Sequence, residues 1–224
     1  MILAGIVRVD GERVDKAGRT FPPEVSIEVV AADHPWVSRG GVKLAAALDA
    51  FSVSAAGKRC LDVGASTGGF THVLLEHGAA QVVALDVGRG QLDWKLRHDP
   101  RVVVKEGVNA RYLAREELPG RFDLITVDVS FISLRLVLPA LVPLLAEGAA
   151  LVALVKPQFE AGRGQVSKGG VVRDSAIREQ AIEAVVVAAR ALGLQCLGRI
   201  PSPIPGPAGN VEELVHLQAA TPGP

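Results

Sequence analysis

Cysteine is scarce in this 224-residue chain, which has only Cys60 and Cys196. Both sit in apolar, strand-like runs without metal-ligand spacing, so they read as buried thiols of a reducing cytosol rather than a disulfide framework or a metal site. Net charge is lacking as well, since 24 Lys and Arg balance 24 Asp and Glu. No bulk basic field announces nucleic acid, and any RNA contact must come from a local patch. The first residues carry no charged stretch followed by an apolar core, so no secretory signal is expected and the location reads as cytoplasmic. Long apolar runs are nearly absent too. From Leu136 to Val155 the only charge is Glu147, which approaches the length of a membrane span. However, Pro139 and Pro143 interrupt the run and Glu147-Gly148 splits it. A helix ending at a glycine, followed by a buried strand, accounts for it without lipid. Aromatics make up only 4% of the residues, but 49% are hydrophobic, enough for a sizeable core. The length suits one full α/β domain with a small appendage.

What is present is organised around Arg59-Cys-Leu-Asp-Val-Gly-Ala-Ser-Thr-Gly-Gly-Phe70. An apolar run from Cys60 to Val63 enters a loop with Gly64, Gly68 and Gly69, and a short helix is expected from Phe70 to His77, stopping at Gly78. Strand, glycine loop and helix in that order bring backbone N–H groups up to a ligand. The spacing D-x-G-x-S-x-G-G is not the G-x-G-x-x-G of dinucleotide enzymes. A second apolar run, Gln81 to Leu85, ends at Asp86, where an acid can accept from both hydroxyls of a ribose. Together these resemble the first motif and the following acid of S-adenosylmethionine methyltransferases. The plain alternative is a glycine turn with no ligand.

Strands are expected at 59–63, 81–86, 101–105, 122–128 and 149–155, with helical stretches between most of them. That alternation means an α/β fold with a doubly wound, mostly parallel sheet, of seven strands by resemblance to the methyltransferases. Ahead of it, Val7 to Val14 alternates around Asp10-Gly11, a hairpin signal, and Val25 to Val30 is a further strand. A linker at 32–37 leads to a helix from Ser38, a good N-cap, with Leu44, Ala47, Leu48 and Phe51 at helical spacing. Lys43 falls in its first turns, where a solvated lysine is as good a reading as a functional one. Asn109, in Val108-Asn-Ala-Arg111, stands at the same sheet edge as the glycine loop and reads equally well as a helix cap.

Asp128 follows the fourth strand and Lys156 the fifth. Adjacent parallel strands lie about 4.8 Å apart, so the two side chains can meet over the sheet edge. Ala161 to Gly170 is a glycine-rich loop, and Arg163, Lys168 and Arg173 give it the densest positive charge, suited to phosphates. Asp174 caps a long helix reaching about Leu192, with Gly193 beyond. The proline-rich run from Pro201 to Asn210 cannot be an interior strand and is expected to deliver Val211 to Leu217 as the last one. Glu212 and Glu213 face opposite sides of it, so one can look toward Lys156.

Five motifs then match one family in order: Ser38-Arg-Gly-Gly-Val-Lys43, Asp62-Val-Gly-Ala-Ser-Thr-Gly-Gly-Phe70, Asp128-Val-Ser-Phe-Ile-Ser133, Val155-Lys-Pro-Gln-Phe-Glu160 and Gly209-Asn-Val-Glu212. The chain resembles the haemolysin A (TlyA) family, which is similar to FtsJ-type ribosomal RNA 2′-O-methyltransferases fused behind an S4 RNA-binding domain. The resemblance implies a catalytic tetrad of Lys43, Asp128, Lys156 and Glu212, although the family usually has an aromatic where Glu213 stands. It implies S-adenosylmethionine held by Asp62, Gly64, Ser66, Gly68, Gly69, Phe70, Asp86, Asn109 and Asp128, and no metal. It also implies ribosomal RNA or subunits as partner, met by Arg39, Arg163, Lys168 and Arg173, and no membrane. Lys156, partly desolvated and near a second cation in Lys43, is the expected base, with Asp128 orienting it and Lys43 and Glu212 positioning the ribose. Ala4-Gly5, Val7, Val9-Asp10-Gly11 and Lys16 resemble the second half of an S4 domain. The expected division is therefore a partial S4-like domain at 1–31, the linker, and a methyltransferase domain at 38–219. Charges in residues 1–33 nearly cancel, so that segment alone should bind RNA poorly. Rival readings are an N-methyltransferase, which would carry Asn or Asp-Pro-Pro-aromatic at the fourth strand, a non-enzymatic RNA-binding assembly factor, and a pore-forming haemolysin.

Overall fold

A computed structural model describes residues 2, 6–14, 18–30 and 34–219. Two sheets organise it. In the small one, β1 (Val7–Val9) lies between β2 (Glu12–Val14) and β3 (Ile27–Val29), antiparallel to both. Asp10 and Gly11 both take positive φ, 50° and 80°, the conformation that a two-residue hairpin turn between right-twisted strands requires. Ala4, Gly5 and Lys16 of the S4-like pattern lie outside the described residues.

The main sheet runs β6-β5-β4-β7-β8-β10-β9. Its members are β4 (Arg59–Val63), β5 (Gln81–Asp86), β6 (Val102–Glu106), β7 (Phe122–Val127), β8 (Leu145–Val155), β9 (Leu194–Pro201) and β10 (Glu213–Ala219). All neighbours from β6 to β8 are parallel, whereas β10 is antiparallel to both β8 and β9. The order steps outward from β4 in both directions, so the crevice of a doubly wound sheet opens between β4 and β7. Helices cover both faces. On one face, α1 (Gly40–Phe51), α2 (Gly69–Glu76) and α3 (Trp94–Arg97) pack on Cys60, Val82, Leu124, Val152 and Leu214. On the other, α4 (Leu134–Leu141) and α6 (Ser175–Ala191) pack on Leu61, Val83, Ile125, Leu151 and Val215. A single turn, α5 (Pro157–Glu160), follows β8.

Three expectations are adjusted. Ser38 does not cap α1; Arg39 holds the cap position without a side-chain bond. The reason is packing: a Cβ on Gly69 would lie 2.3 Å from Ser38 Oγ, so that hydroxyl rests on the glycine where α2 begins. The apolar run from Leu136 is a helix and a strand, but the helix ends at Leu141, and β8 starts at Leu145 rather than 149. It opens with a register irregularity against β7 and passes through Gly148 at φ 66°. The last strand begins at Glu213 rather than Val211 and lies inside the sheet, between β8 and β9. No helix among the described residues is long and apolar enough to cross a membrane.

Candidate active site

Both cavities at the carboxyl edge of the parallel strands begin at Gly64. Its φ is 85°, and a Cβ there would lie 2.4 Å from the main-chain oxygen of Asp128, so only glycine lets the ends of β4 and β7 approach this closely. One side opens a cavity of about 320 Å³ between Gly64, Ser66, Asp86 and Asn109, with apolar walls from Leu85, Val87, Val108 and Ala110. Asp86 binds the surrounding backbone, accepting from Ser66 N at 2.8 Å and Gly88 N at 2.7 Å. An ionised carboxylate has about four acceptor positions, so two remain for a ligand's hydroxyls. Asn109 is a helix cap that also stands at the cavity wall. Its Oδ1 caps the 3-10 turn Ala110–Tyr112 by accepting from Arg111 N at 3.0 Å, and the residue lines the cavity.

The other side opens a larger cavity, about 660 Å³, and here the tetrad assembles as two ion pairs. Lys156 Nζ lies 2.5 Å from Asp128 Oδ1 and donates to Ser130 Oγ at 2.9 Å. Lys43 Nζ lies 2.5 Å from Glu212 Oε2, with side-chain exposures of only 8% and 1%. Lys43 is therefore a buried, paired group rather than a solvated one. Glu212 faces Lys43, not Lys156 as its strand position suggested; Glu213 faces the other way onto Arg199. Each lysine has its own carboxylate, so the second cation expected beside Lys156 is already neutralised by Glu212.

Around the pairs stand residues that the sequence left unassigned. Ser130 takes the second donor of Lys156. Glu160, with its side chain 1% exposed, accepts from Ser133 Oγ at 2.5 Å and from Leu134 N at 2.6 Å, and Arg135 closes on it at 3.4 Å. It ties the loop after β8, which starts with Lys156, to the loop after β7, which starts with Asp128, and places a carboxylate at the positive end of α4. Phe131 is 91% exposed at φ 65°, with its ring 5.2 Å from that of Phe159. Both rings line the larger cavity.

Other expected site residues sort by position. Gly64, Ser66 and Asp128 line both cavities, while Gly69 and Phe70 line the larger. Asp62 and Gly68 line neither. Asp62 is fully buried on the face of β4 toward α2, accepting from Thr71 Oγ1 at 2.7 Å and Thr126 Oγ1 at 3.2 Å. Burial pushes its carboxyl up to about 7, against the hydroxyl bond from Thr71, which lowers it, and with Asp128 nearby adding to the rise. Gly68, at φ 95°, serves packing: a Cβ would lie 2.3 Å from Leu96 Cδ1. Arg39 lines the larger cavity, Lys168 and Arg173 are exposed, and the side chain of Arg163 lies outside the described residues. Cys60 is buried in β4 with its thiol pushed up to about 12 by desolvation, which leaves it no nucleophilic role. Among the described residues no group of three or more His, Cys, Asp or Glu is arranged to hold a metal ion.

A nucleoside-sized slot with Asp86 on its wall, abutting a cavity with two lysine–carboxylate pairs, has clear counterparts. Residues 36–219 match the FtsJ-like methyltransferase family. The 16S/23S rRNA (cytidine-2′-O)-methyltransferase TlyA of Mycobacterium tuberculosis is 53% identical over 222 residues, 99% of this chain and 83% of that protein. The 23S rRNA (cytidine-2′-O)-methyltransferase TlyA of Campylobacter jejuni is 38% identical over 178 residues, 79% of this chain and 68% of that protein. Among solved structures, a hemolysin candidate from Streptococcus thermophilus superposes with a TM-score of 0.84 at 45% identity, covering 100% of this chain and 82% of that one.

Proposed function

Because the chain belongs to the FtsJ-like methyltransferase family, we propose that it methylates the 2′-oxygen of a cytidine ribose in ribosomal RNA. It is an S-adenosylmethionine-dependent methyltransferase. The residues present fit that cofactor. Leu85, Val87, Val108 and Ala110 form an apolar slot for a purine, Asp86 keeps acceptor positions for ribose hydroxyls, and Asn109 stands at the edge. When bound, the cofactor supplies an electrophilic methyl group on a sulfonium.

The observation that carries the reading is the pairing of Lys156 with Asp128 and of Lys43 with Glu212 around one cavity. A ribose hydroxyl is a weak nucleophile at neutral pH, so the site must take its proton and fix its direction. Lys156 would act as the neutral amine, after giving one proton to solvent: it would take the 2′-OH proton, leaving the oxygen's electron pair to form the bond to the methyl carbon as the methyl–sulfur bond breaks and the thioether product leaves. Asp128 and Ser130 hold Lys156 in line, and the resulting ammonium remains against Asp128. Lys43, fixed by Glu212, positions the ribose. Phe131 and Phe159 support the RNA reading, because an aromatic ring displayed to solvent at a strained φ suits stacking of an unpaired base. Arg39, Arg163, Lys168 and Arg173 serve the phosphates. The division into an S4-like segment at 1–31 and a methyltransferase domain at 38–219 is part of the same proposal, and the enzyme works in the cytoplasm, where ribosomal subunits are found.

Incubation with unmethylated 30S and 50S subunits and labelled cofactor, followed by mapping of ribose methyl groups, tests this. The expected product is a 2′-O-methylcytidine. Label on a base nitrogen, or none in RNA, would refute it.

A further inference from the structure

We infer that Asn210 is a positioning residue for the RNA substrate, clasping the basic loop 162–173 to the segment that carries Glu212. This rests on the RNA reading above. Asn210 is 2% exposed, and both ends of its amide are used on one target. Its Nδ2 donates to Gly170 O at 2.8 Å, and its Oδ1 accepts from Val172 N at 3.0 Å. A buried asparagine satisfied at both ends by backbone of a loop about forty residues away fixes that loop in register, because losing either bond strands a buried polar group.

The loop needs such a fixture. Apart from the bond that Gly170 O accepts from Asn210, the bonds of Ser167 to Val171 among the described residues stay within the loop: Gly170 N donates to Ser167 O, and Ser167 donates through both N and Oγ to Val171 O. Gly169 and Gly170 sit at φ 106° and 79°, so the turn has little stiffness of its own. On its α6 side, Arg178 donates to the oxygens of Val172 and Arg173. On the cavity side the clasp is Asn210.

What the clasp is attached to matters equally. Asn210 O accepts from Gly206 N at 2.9 Å, closing a turn whose Gly206 would, with a Cβ, come within 2.5 Å of Glu212 Oε1. Two residues beyond Asn210, Glu212 holds Lys43. The loop bearing Lys168 and Arg173 and the pair that positions the ribose are thus one mechanical unit. A phosphate held by the loop then sits at a fixed offset from the reacting hydroxyl, which converts phosphate attraction into alignment.

The test uses the full chain with Asn210→Ala and with Asn210→Asp, which keeps the shape and the acceptor for Val172 but sets an oxygen against Gly170 O. Without RNA, trypsin should cut at Lys168 about tenfold faster in both variants, because opening of the loop sets the rate. With unmethylated subunits, KM for RNA should rise about tenfold, kcat should fall no more than about threefold, and cofactor affinity should hold. The log KM against log salt slope should flatten by about one to two, the signature of lost phosphate contacts. Adding Lys168→Ala to Asn210→Ala should cost little more. A merely structural asparagine predicts the opposite: unchanged KM and slope, with kcat falling in step with the folded fraction. That result, or wild-type trypsin resistance in both variants, would overturn the inference. If the unsubstituted chain binds subunits without methylating them, the functional reading fails instead. A weaker, flatter salt-dependent affinity of Asn210→Ala would then still support the clasp.

Discussion

Apart from Val137 of α4, the smaller cavity takes its lining from the ends of β4, β5, β6 and β7 and the loops that leave them, four strands that follow one another along the chain. The larger one collects residues from six separate segments between Ser38 and Glu212. The first is held by backbone: parallel ladders, Gly64 against Asp128, and the loop amides of Ser66 and Gly88 on Asp86. The second is held by side chains that bridge distant segments, namely Lys43 to Glu212, Glu160 to Ser133 and Leu134, and Asn210 to the basic loop. The difference teaches where each half is vulnerable. Substitutions on the cofactor side should change affinity and leave the scaffold intact. Substitutions on the catalytic side should change turnover, geometry or stability and leave cofactor affinity intact.

The sharpest contrast is expected at Lys156. Replacing it with alanine should slow single-turnover methyl transfer on the order of a thousandfold, with calorimetric cofactor affinity within about twofold. Lys156→Arg should be no better, because a guanidinium stays charged and cannot take the proton. Near-normal rates in the arginine variant would leave Lys156 as a clamp and assign the proton to water.

The next largest effect separates stability from chemistry. Glu212→Ala leaves the Lys43 ammonium buried and unpaired, which should cost about 3 kcal/mol in chemical denaturation and abolish activity. The double variant Lys43→Met with Glu212→Leu should recover most of that stability and none of the activity. If the single variant is as stable as the double, the pair is not the strut described here.

On the cofactor side, Asp86→Ala should weaken S-adenosylmethionine binding about ten- to a hundredfold, the worth of charge-assisted bonds to hydroxyls. At saturating cofactor its KM for RNA should match the unsubstituted chain. A shifted RNA KM would mean that the two cavities are coupled through Ser66 rather than built independently.

The smallest effect belongs to Asp62, beneath both cavities. Its folded carboxyl, at about 7, binds a proton more tightly than the ordinary value of 3.8. Its contribution to stability is therefore full below about pH 4, is lost as pH rises through about 7, and is flat above. Asp62→Asn removes that slope, so the difference in melting temperature, variant minus unsubstituted chain, should grow by a few kelvin from pH 4 to pH 8. A difference independent of pH would show that Asp62 is ionised throughout.

The same division governs what could be read in the sequence. Gly64, Asp86, the meeting of Asp128 with Lys156, and the Asp174 cap of α6 follow from strand alternation and short-range spacing, and they stand where expected. The partner of Glu212 was not legible. Lys43 is 169 positions away, and only the insertion of β10 between β8 and β9 brings that glutamate under α1. Ser130, Glu160 and Asn210 carry no periodic signal, since what they do depends on a loop from elsewhere arriving within 3 Å. Asp62 and Gly68 line neither cavity for a related reason. They belong to the glycine-loop motif, but one faces α2 and the other packs on α3, contacts that come from helices later in the chain and shape the loop.

The place of β10 also sets an order of events. Among the described residues β9 pairs with no strand except β10, although it comes first along the chain. Until β10 threads between β8 and β9, one edge of the sheet stays open, and the carboxylate that immobilises Lys43 has no fixed position. Non-local pairing of this kind is slow, because the loop must close before any contact repays it. Refolding should thus pass through a species competent to hold the cofactor before it is competent to react. Pulse-labelled amide exchange should find β4, β5 and β7 protected ahead of β9 and β10; simultaneous protection would mean the sheet closes in one step.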